Sequence, residues 1–296
     1  MVIFGLALYV LLPQIGTFAH SARLLGHADL FWLVCAFVAI LASPLVAAGT
    51  YRLLVVKPVR YGRILLVQYA SMFINRLLPA GIGGMGLYID FLYKHKHRPA
   101  QASAVVAANG LLGGFGHLFV FLGIGLTVGL ALPEFSLEVG NTSLYIVVAI
   151  GLLLLAFVFC RKWLMSRVKN FVREFLRTLN SYKSRPRALL FGMLCAAGNT
   201  LLHLTAFLLV LHALGLSLPV GAAIFVLSGG IASATLSPTP GGVGGAEAGF
   251  TAILILYGLE PAPALAAAIG YRLVSYWLPL IPGIFAFLFL HKKRYI

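Results

Sequence analysis

Leu236-Ser-Pro-Thr-Pro240-Gly-Gly-Val-Gly-Gly245-Ala-Glu247-Ala-Gly249 interrupts an apolar run that otherwise extends from Val220 to Tyr257. Two prolines and four glycines between Pro238 and Gly245 forbid one continuous helix there, because proline removes a helical donor and glycine weakens the backbone preference. A second apolar run, Ile64 to Phe91, is broken in the same manner by Pro79-Ala-Gly81-Ile82-Gly83-Gly84. Laid side by side, the breaks share the pattern P-x-G-[IV]-G-G, with Pro240, Gly242, Gly244 and Gly245 over Pro79, Gly81, Gly83 and Gly84. Downstream, Pro99-Ala-Gln-Ala-Ser-Ala104 falls on Pro261-Ala-Pro-Ala-Leu-Ala266 at nearly the same spacing. Two coincidences at nearly one spacing point to a duplicated unit.

Composition explains where such a unit lives. Of 296 residues, 61% are hydrophobic and only 10% are charged, which excludes an ordinary soluble domain and indicates a polytopic membrane protein. The 22 Lys and Arg against 7 Asp and Glu suit basic cytoplasmic loops rather than a nucleic-acid partner. A crossing takes about 20 apolar residues. Met1–Phe18, Leu30–Tyr51, Val105–Leu132, Leu144–Cys160, Ala188–Leu214 and Leu265–Leu290 meet or approach that length. The N-terminal stretch has no basic flank, so it reads as a retained helix and not as a cleaved signal. Cys35, Cys160 and Cys195 form no paired motif, which argues against a disulfide framework or a zinc site.

Loop charges set the sides. Arg52, Lys57, Arg60 and Arg63 share one loop and Lys94, Lys96 and Arg98 the next; nine basic residues lie between Arg161 and Arg187, and Lys292, Lys293 and Arg294 follow the last span. Pro133–Thr142, Gly215–Pro219 and Gly258–Pro263 hold no Lys or Arg. The basic loops are expected inside, which puts both termini in the cytoplasm. The first broken run then enters and leaves from the cytoplasm, and the second from outside. The fold expected is all-α: an inverted repeat in which each half has two spans, a Gly/Pro-broken re-entrant hairpin and one long span. One membrane domain, 1–296, divides into repeats 1–132 and 143–296. Within the second, 161–187 reads as an amphipathic helix on the cytoplasmic surface, where its basic residues meet anionic inner-leaflet lipids. Plain positive-inside anchoring serves the same residues equally well.

Paired interrupted segments in corresponding halves mark the binding site of transporters, although small residues also simply let helices pack closely. Glu247, inside the second hairpin, is the sharpest candidate, since an ionisable group at membrane depth is costly unless paired or wetted. Arg272, in Tyr271-Arg272-Leu-Val-Ser275-Tyr276, is its expected partner; a purely structural ion pair is the other reading. Asn75-Arg76 precedes the first tip, where a guanidinium suits a phosphate or else snorkels to the headgroups. Ser237 and Thr239 would complete an anion cradle with free N–H groups at the half-helix starts, or bond back to their own backbone. Asn75, Arg76, Ser237, Thr239, Glu247, Tyr271 and Arg272 are therefore the candidate substrate contacts, and the eight tip residues the candidate hinges. His117, His203, Asn109 and Asn199 are expected chiefly to bond across helices. No HExxH, carboxylate dyad, nucleotide-binding Gly loop or GxSxG occurs, so no catalytic residue, metal or cofactor is expected.

The Leu236–Gly249 stretch, with Tyr271-Arg272-Leu and Tyr276-Trp-Leu-Pro279-Leu downstream, resembles the lysylphosphatidylglycerol synthase transmembrane family, the flippase-like region of the multiple peptide resistance factor. Asn75-Arg76-Leu-Leu-Pro79-Ala-Gly-Ile-Gly-Gly84 matches that family's earlier motif, so the likeness spans essentially the whole chain. The resemblance implies a bacterial or archaeal cytoplasmic-membrane protein that moves aminoacylated or other anionic phospholipid between leaflets, with Glu247 and Arg272 on the family's charged positions. A second copy of the chain or a lipid synthase would be its protein partners, and nucleic acid would not. Many relatives carry an acidic residue and an arginine after the first Gly-Gly and an arginine in the following span; here Met85-Gly86-Leu87-Tyr88 and Asn109-Gly110 stand instead, so the headgroup does not carry over. The sequence shows no soluble aminoacyl transferase domain after Lys292-Lys-Arg-Tyr-Ile, and the chain is expected not to aminoacylate lipid itself. A membrane enzyme of lipid or lipid-linked sugar synthesis, or an accessory subunit, are the alternatives.

Overall fold

The computed structural model describes residues 15–55, 57–78, 81–128, 177, 180 and 184–296. Most of Met1–Phe18, Pro79, the loop from Pro133, the span Leu144–Cys160 and most of the surface segment 161–187 lie outside the described residues. Every described element is helical. Helix α1 (Ile15–Gly26) is followed by α2 (Leu30–Leu54), then the short pair α3 (Tyr61–Leu77) and α4 (Ile82–Lys94), and then the long α5 (Pro99–Thr127). The order returns as α6 (Pro186–Ala213), the short pair α7 (Val220–Leu236) and α8 (Gly245–Leu256), and the long α9 (Pro261–Arg272) with α10 (Leu280–Lys292). A long helix, a broken pair and a long helix thus occur twice.

Among the described residues, four stretches have the length and apolarity to cross a membrane: Leu30–Leu54, Pro99–Thr127, Pro186–Ala213 and Pro261–Lys292. Their outer faces remain apolar, as with Phe31 on α2, Phe119 on α5 and Phe285 on α10, which is 69% exposed. That is the surface of a protein solvated by lipid. The arms of the two broken pairs are shorter, at 17 and 13 residues for α3 and α4 and 17 and 12 for α7 and α8.

Proline inside a span leaves a carbonyl without its helical donor, and the chain answers with a side chain. Pro44 has no N–H for Ile40 O, and the buried Ser43 hydroxyl donates to that oxygen at 2.9 Å. The last long span departs from the expected continuous helix: it begins at Pro261 and opens into a π-helical turn over Leu273–Trp277, just before Pro279. Pro279 is the physical reason, since it has no N–H to offer the carbonyl four residues earlier.

Two apolar cores hold the helices, and each takes residues from both ends of the chain. The first gathers Ile40 of α2, Phe207 of α6, Leu227 of α7, Phe250 of α8 and Ala267 of α9. The second gathers Leu54 of α2, Val67 of α3, Phe91 of α4 and Val105 of α5, together with Ala286 and Leu290 of α10. So α10 closes the core of the first broken pair, and α1 packs on α9, where Ser21 Oγ donates to Ala262 O at 2.9 Å. Between α2 and α6, and between α5 and α6, the approach is close enough to require glycine. A Cβ on Gly116 would stand 2.6 Å from the Ala196 methyl.

One connection carries a titratable joint. His97, between α4 and α5, is buried; its Nε2 accepts the Lys57 backbone N–H at 3.2 Å and its Nδ1 lies 3.1 Å from Leu92 O. Accepting at one nitrogen and donating at the other requires the neutral ring. Burial holds its pKa below the ordinary 6.5, helped by Lys57 and His95 and opposed by the carbonyls of His95 and Leu92. Because the folded pKa is the lower one, the unfolded chain takes the proton first. The stability due to this group is complete above the unfolded value and is lost as pH falls toward the folded one. The protection factor of the Lys57 amide, its exchange rate corrected for the intrinsic pH dependence, is expected to fall several-fold between pH 7 and pH 5, and in His97→Ala to be low throughout. A pH-independent protection factor at Lys57 in the wild type would contradict this.

Candidate functional site

The second break is built around Glu247. Gly244 starts α8 with φ of 86° and has no side chain to cap it, and Glu247, three residues on, reaches back so that Oε2 accepts the Gly244 N–H at 2.7 Å. Its other oxygen, Oε1, accepts from Arg272 Nε at 2.8 Å. Arg272 in turn donates through Nη2 to Gly241 O at 3.2 Å and lies over the Tyr276 ring, 3.9 Å from its centre. One buried guanidinium therefore binds the turn Pro240–Gly242, the start of α8 and the π-helical turn. The expected Glu247–Arg272 pair is formed.

The first break answers with Asn75 and Arg76, from the last turn of α3. Gly81, at φ of 71°, leads into α4 and likewise has no capping side chain; Asn75 Oδ1 supplies it from the neighbouring helix, accepting the Gly84 N–H at 2.6 Å. Gly83 and Gly84 sit within α4, where any Cβ would collide with Ile74 or Asn75. They permit close approach of α3 and α4. Arg76 crosses to the other half of the chain, where Nη2 donates to Ser275 O at 2.9 Å. That is the carbonyl Pro279 leaves without a helical donor. The Arg76 guanidinium also stands over the Tyr276 ring at 4.8 Å, and its buried Nε has no partner. Tyr276 thus receives two guanidinium groups, Arg76 from α3 of the first broken pair and Arg272 from the end of α9.

Around this junction lies a cavity of about 850 Å³, within the size range of small-molecule sites. Gly81 of the first break and Gly241 and Gly242 of the second all line it, as do Asn75, Arg76 and Arg272. Three glycines of α5, Gly110, Gly113 and Gly114, form one wall, and a Cβ on any of them would meet nothing within 4 Å. Tyr271 lines the cavity and shares a hydrogen bond with His203 Nδ1 at 3.0 Å; His117 lines it too, 2.9 Å from Ser228 Oγ. The histidines do bond across helices, as expected, yet they also border the cavity, and so does Asn199.

The matching family model is the lysylphosphatidylglycerol synthase TM region, over residues 1–283. The chain belongs to this family. No curated protein and no solved structure matches it. Membership in the lysylphosphatidylglycerol synthase TM family, together with the four long apolar helices, makes this a multi-pass membrane protein related to lipid synthesis or translocation. The family resemblance read from Leu236–Gly249 and Asn75–Gly84 is therefore correct.

Not every candidate lines the cavity. Ser237 and Thr239 bond to each other at 2.8 Å, and Thr239 donates to Val243 O at 2.7 Å, so these hydroxyls close the turn and do not line the cavity. Glu247 is also outside the lining; it acts on Arg272. Tyr276 and the Ser275 carbonyl were missed as functional groups. Their signal was Pro279, four residues after Ser275, inside an apolar span. Among the described residues no group of three metal-binding side chains occurs.

Proposed function

We propose that this chain carries phospholipid between the leaflets of the membrane, the headgroup crossing through the cavity while the acyl chains stay in lipid. The observation that carries the reading is that both Gly/Pro breaks border one cavity, and that each half of the chain brings an arginine to it, Arg76 from α3 and Arg272 from α9. Guanidinium groups in a largely apolar, membrane-embedded setting suit a lipid phosphate, anionic or aminoacylated. In this reading the two halves are inverted repeats, their short arms are re-entrant, and the Gly tips flex as the headgroup passes. The membrane is the bacterial or archaeal cytoplasmic membrane with both termini inside, which the basic loops support. The chain makes no covalent bond of its own, and a lipid synthase or a second copy is its natural neighbour.

Glu247 has a definite part in this proposal: it half-neutralises Arg272, so that a phosphate is held and then released. Leaflet exchange of headgroup-labelled phospholipid in proteoliposomes tests it. Glu247→Gln keeps an oxygen for the Gly244 N–H and removes the charge. Exchange is expected to fall about tenfold or more while apparent lipid affinity rises. Arg272→Gln is expected to lower both. Wild-type exchange in both variants would sink the role of the pair, and no exchange of any lipid by folded wild type would sink the translocator.

A further inference from the structure

We propose that the cavity selects a phosphate-bearing lipid head without an amine and refuses an aminoacyl ester. This deepens the translocator reading and rests on it for the occupant being a lipid. The argument is a census of charge. Among the described residues the lining holds two guanidinium groups, Arg76 and Arg272, and no aspartate or glutamate. Glu247, paired with Arg272, is outside the lining and has one oxygen on Arg272 Nε and the other on the Gly244 N–H, so both oxygens already have a donor. The other described acids are elsewhere: Asp29 caps α2, Asp90 pairs with Lys94 at 3.0 Å, and Glu260 precedes α9.

Besides a carboxylate, the strongest partners for an ammonium group are aromatic faces and backbone carbonyls, and those at the junction are already engaged. Aromatic faces bind cations, but of the aromatic rings in the lining Tyr276 already carries Arg76 and Arg272, and Phe250 and Tyr271 are buried edge to face against each other. The backbone carbonyls of Gly241 and Ser275 are taken by the same arginines. An amine in the cavity would therefore meet two like charges, of which Glu247 offsets only that of Arg272. A phosphate meets the opposite situation. Arg76 keeps a buried Nε bonded to nothing, and two guanidinium groups converge from different halves of the chain. The remaining polar lining, including Asn199, Thr200 and Thr235, is uncharged and suits the hydroxyls of a glycerol or sugar head.

The full chain in phosphatidylcholine nanodiscs, with radiolabelled phosphatidylglycerol as probe, tests this by displacement. Unlabelled phosphatidylglycerol is expected to displace it at concentrations at least about tenfold below those needed of its lysyl ester or of phosphatidylethanolamine. A lysyl ester that competes equally or better overturns the proposal, as does the absence of saturable binding. Glycerol 3-phosphate as effective as the lipid would place the phosphate's source in solution and overturn the lipid assignment. Asn199→Asp sets a carboxylate of the same size in the lining, and is expected to cut the preference for phosphatidylglycerol over its lysyl ester at least about fivefold. An unchanged preference in that folded variant counts against the charge census, and the wild-type competition decides if it does not fold. Leaflet exchange measured on the same protein keeps the two readings apart: selective binding without exchange retires the translocator and leaves the selectivity standing.

Discussion

Gly113→Trp is expected to abolish lipid exchange in a protein that still folds. Gly113 lies in the middle of α5 with Gly110 and Gly114, and all three border the cavity. A side chain there enters open space, since an added Cβ finds no atom within 4 Å. Glycine within a helix costs about 1 kcal/mol relative to alanine, so Gly113→Ala should hold or raise thermal stability by up to that amount. The indole of Gly113→Trp would instead occupy the space a headgroup needs, and exchange should fall by at least about a hundredfold against a barrier that no longer has a polar path. Proteoliposome exchange beside thermal unfolding in detergent reads both effects. Gly116, one turn further along the same helix, is the contrast: its Cβ would press on Ala196 and on Ala197 N at 2.7 Å, so Gly116→Ala should lose stability. Wild-type exchange through folded Gly113→Trp would show that lipid heads take another route.

Gly242→Ala is expected to be among the most destabilising single-methyl changes in the protein. Gly242 has φ of 67°, a left-handed conformation that alanine adopts only under strain, and its Cβ would stand 2.5 Å from Ala234 O and 2.8 Å from Ala234 Cα. Strain and overlap together amount to about 3 kcal/mol or more. Gly244, at φ of 86°, has nothing within 4 Å of the same atom, so Gly244→Ala should lose only the strain, about 1–2 kcal/mol. Unfolding in detergent should rank Gly242→Ala below Gly244→Ala below wild type. The reverse order would mean that the turn moves away from α7 at little cost, and the turn would then be a hinge rather than a wedge.

That pair of variants shows where the sequence was legible. Proline and glycine act through the backbone alone, so the breaks at Pro79 and Pro238 could be located from residue type. Scarcity served in the same way for Glu247 and Arg272: with so few charges in the apolar runs, each had few partners to choose from, and they are 2.8 Å apart. What the sequence concealed depends on the neighbours. Gly83 and Gly84 look like a flexible tip, but Ile74 and Asn75 crowd them into α4. Ser237 and Thr239 look like an anion cradle, yet in a turn this tight the nearest acceptors are each other and Val243 O. Tyr276 reads as one more interfacial aromatic until Arg76 arrives from the first half of the chain. Nothing in a single sequence states that residues so far apart will touch, even where Pro279 marks a carbonyl in want of a donor.

The exchange of helices between the two cores constrains how the protein is made. α3, α4 and α5 leave the ribosome long before α10, yet Ala286 and Leu290 belong to their core and Gly283 rests against Tyr69 and Phe73. Until α10 is synthesised, the earlier helices sit in the bilayer with that face uncovered and with Arg76 lacking the Ser275 carbonyl. Biogenesis must therefore shelter a half-assembled bundle, by lipid, by an insertase or by a chaperone, until the last helix threads back to lock it. Nonsense mutations and stalled translation upstream of α10 would yield no partly active fragment, only a substrate for membrane proteolysis.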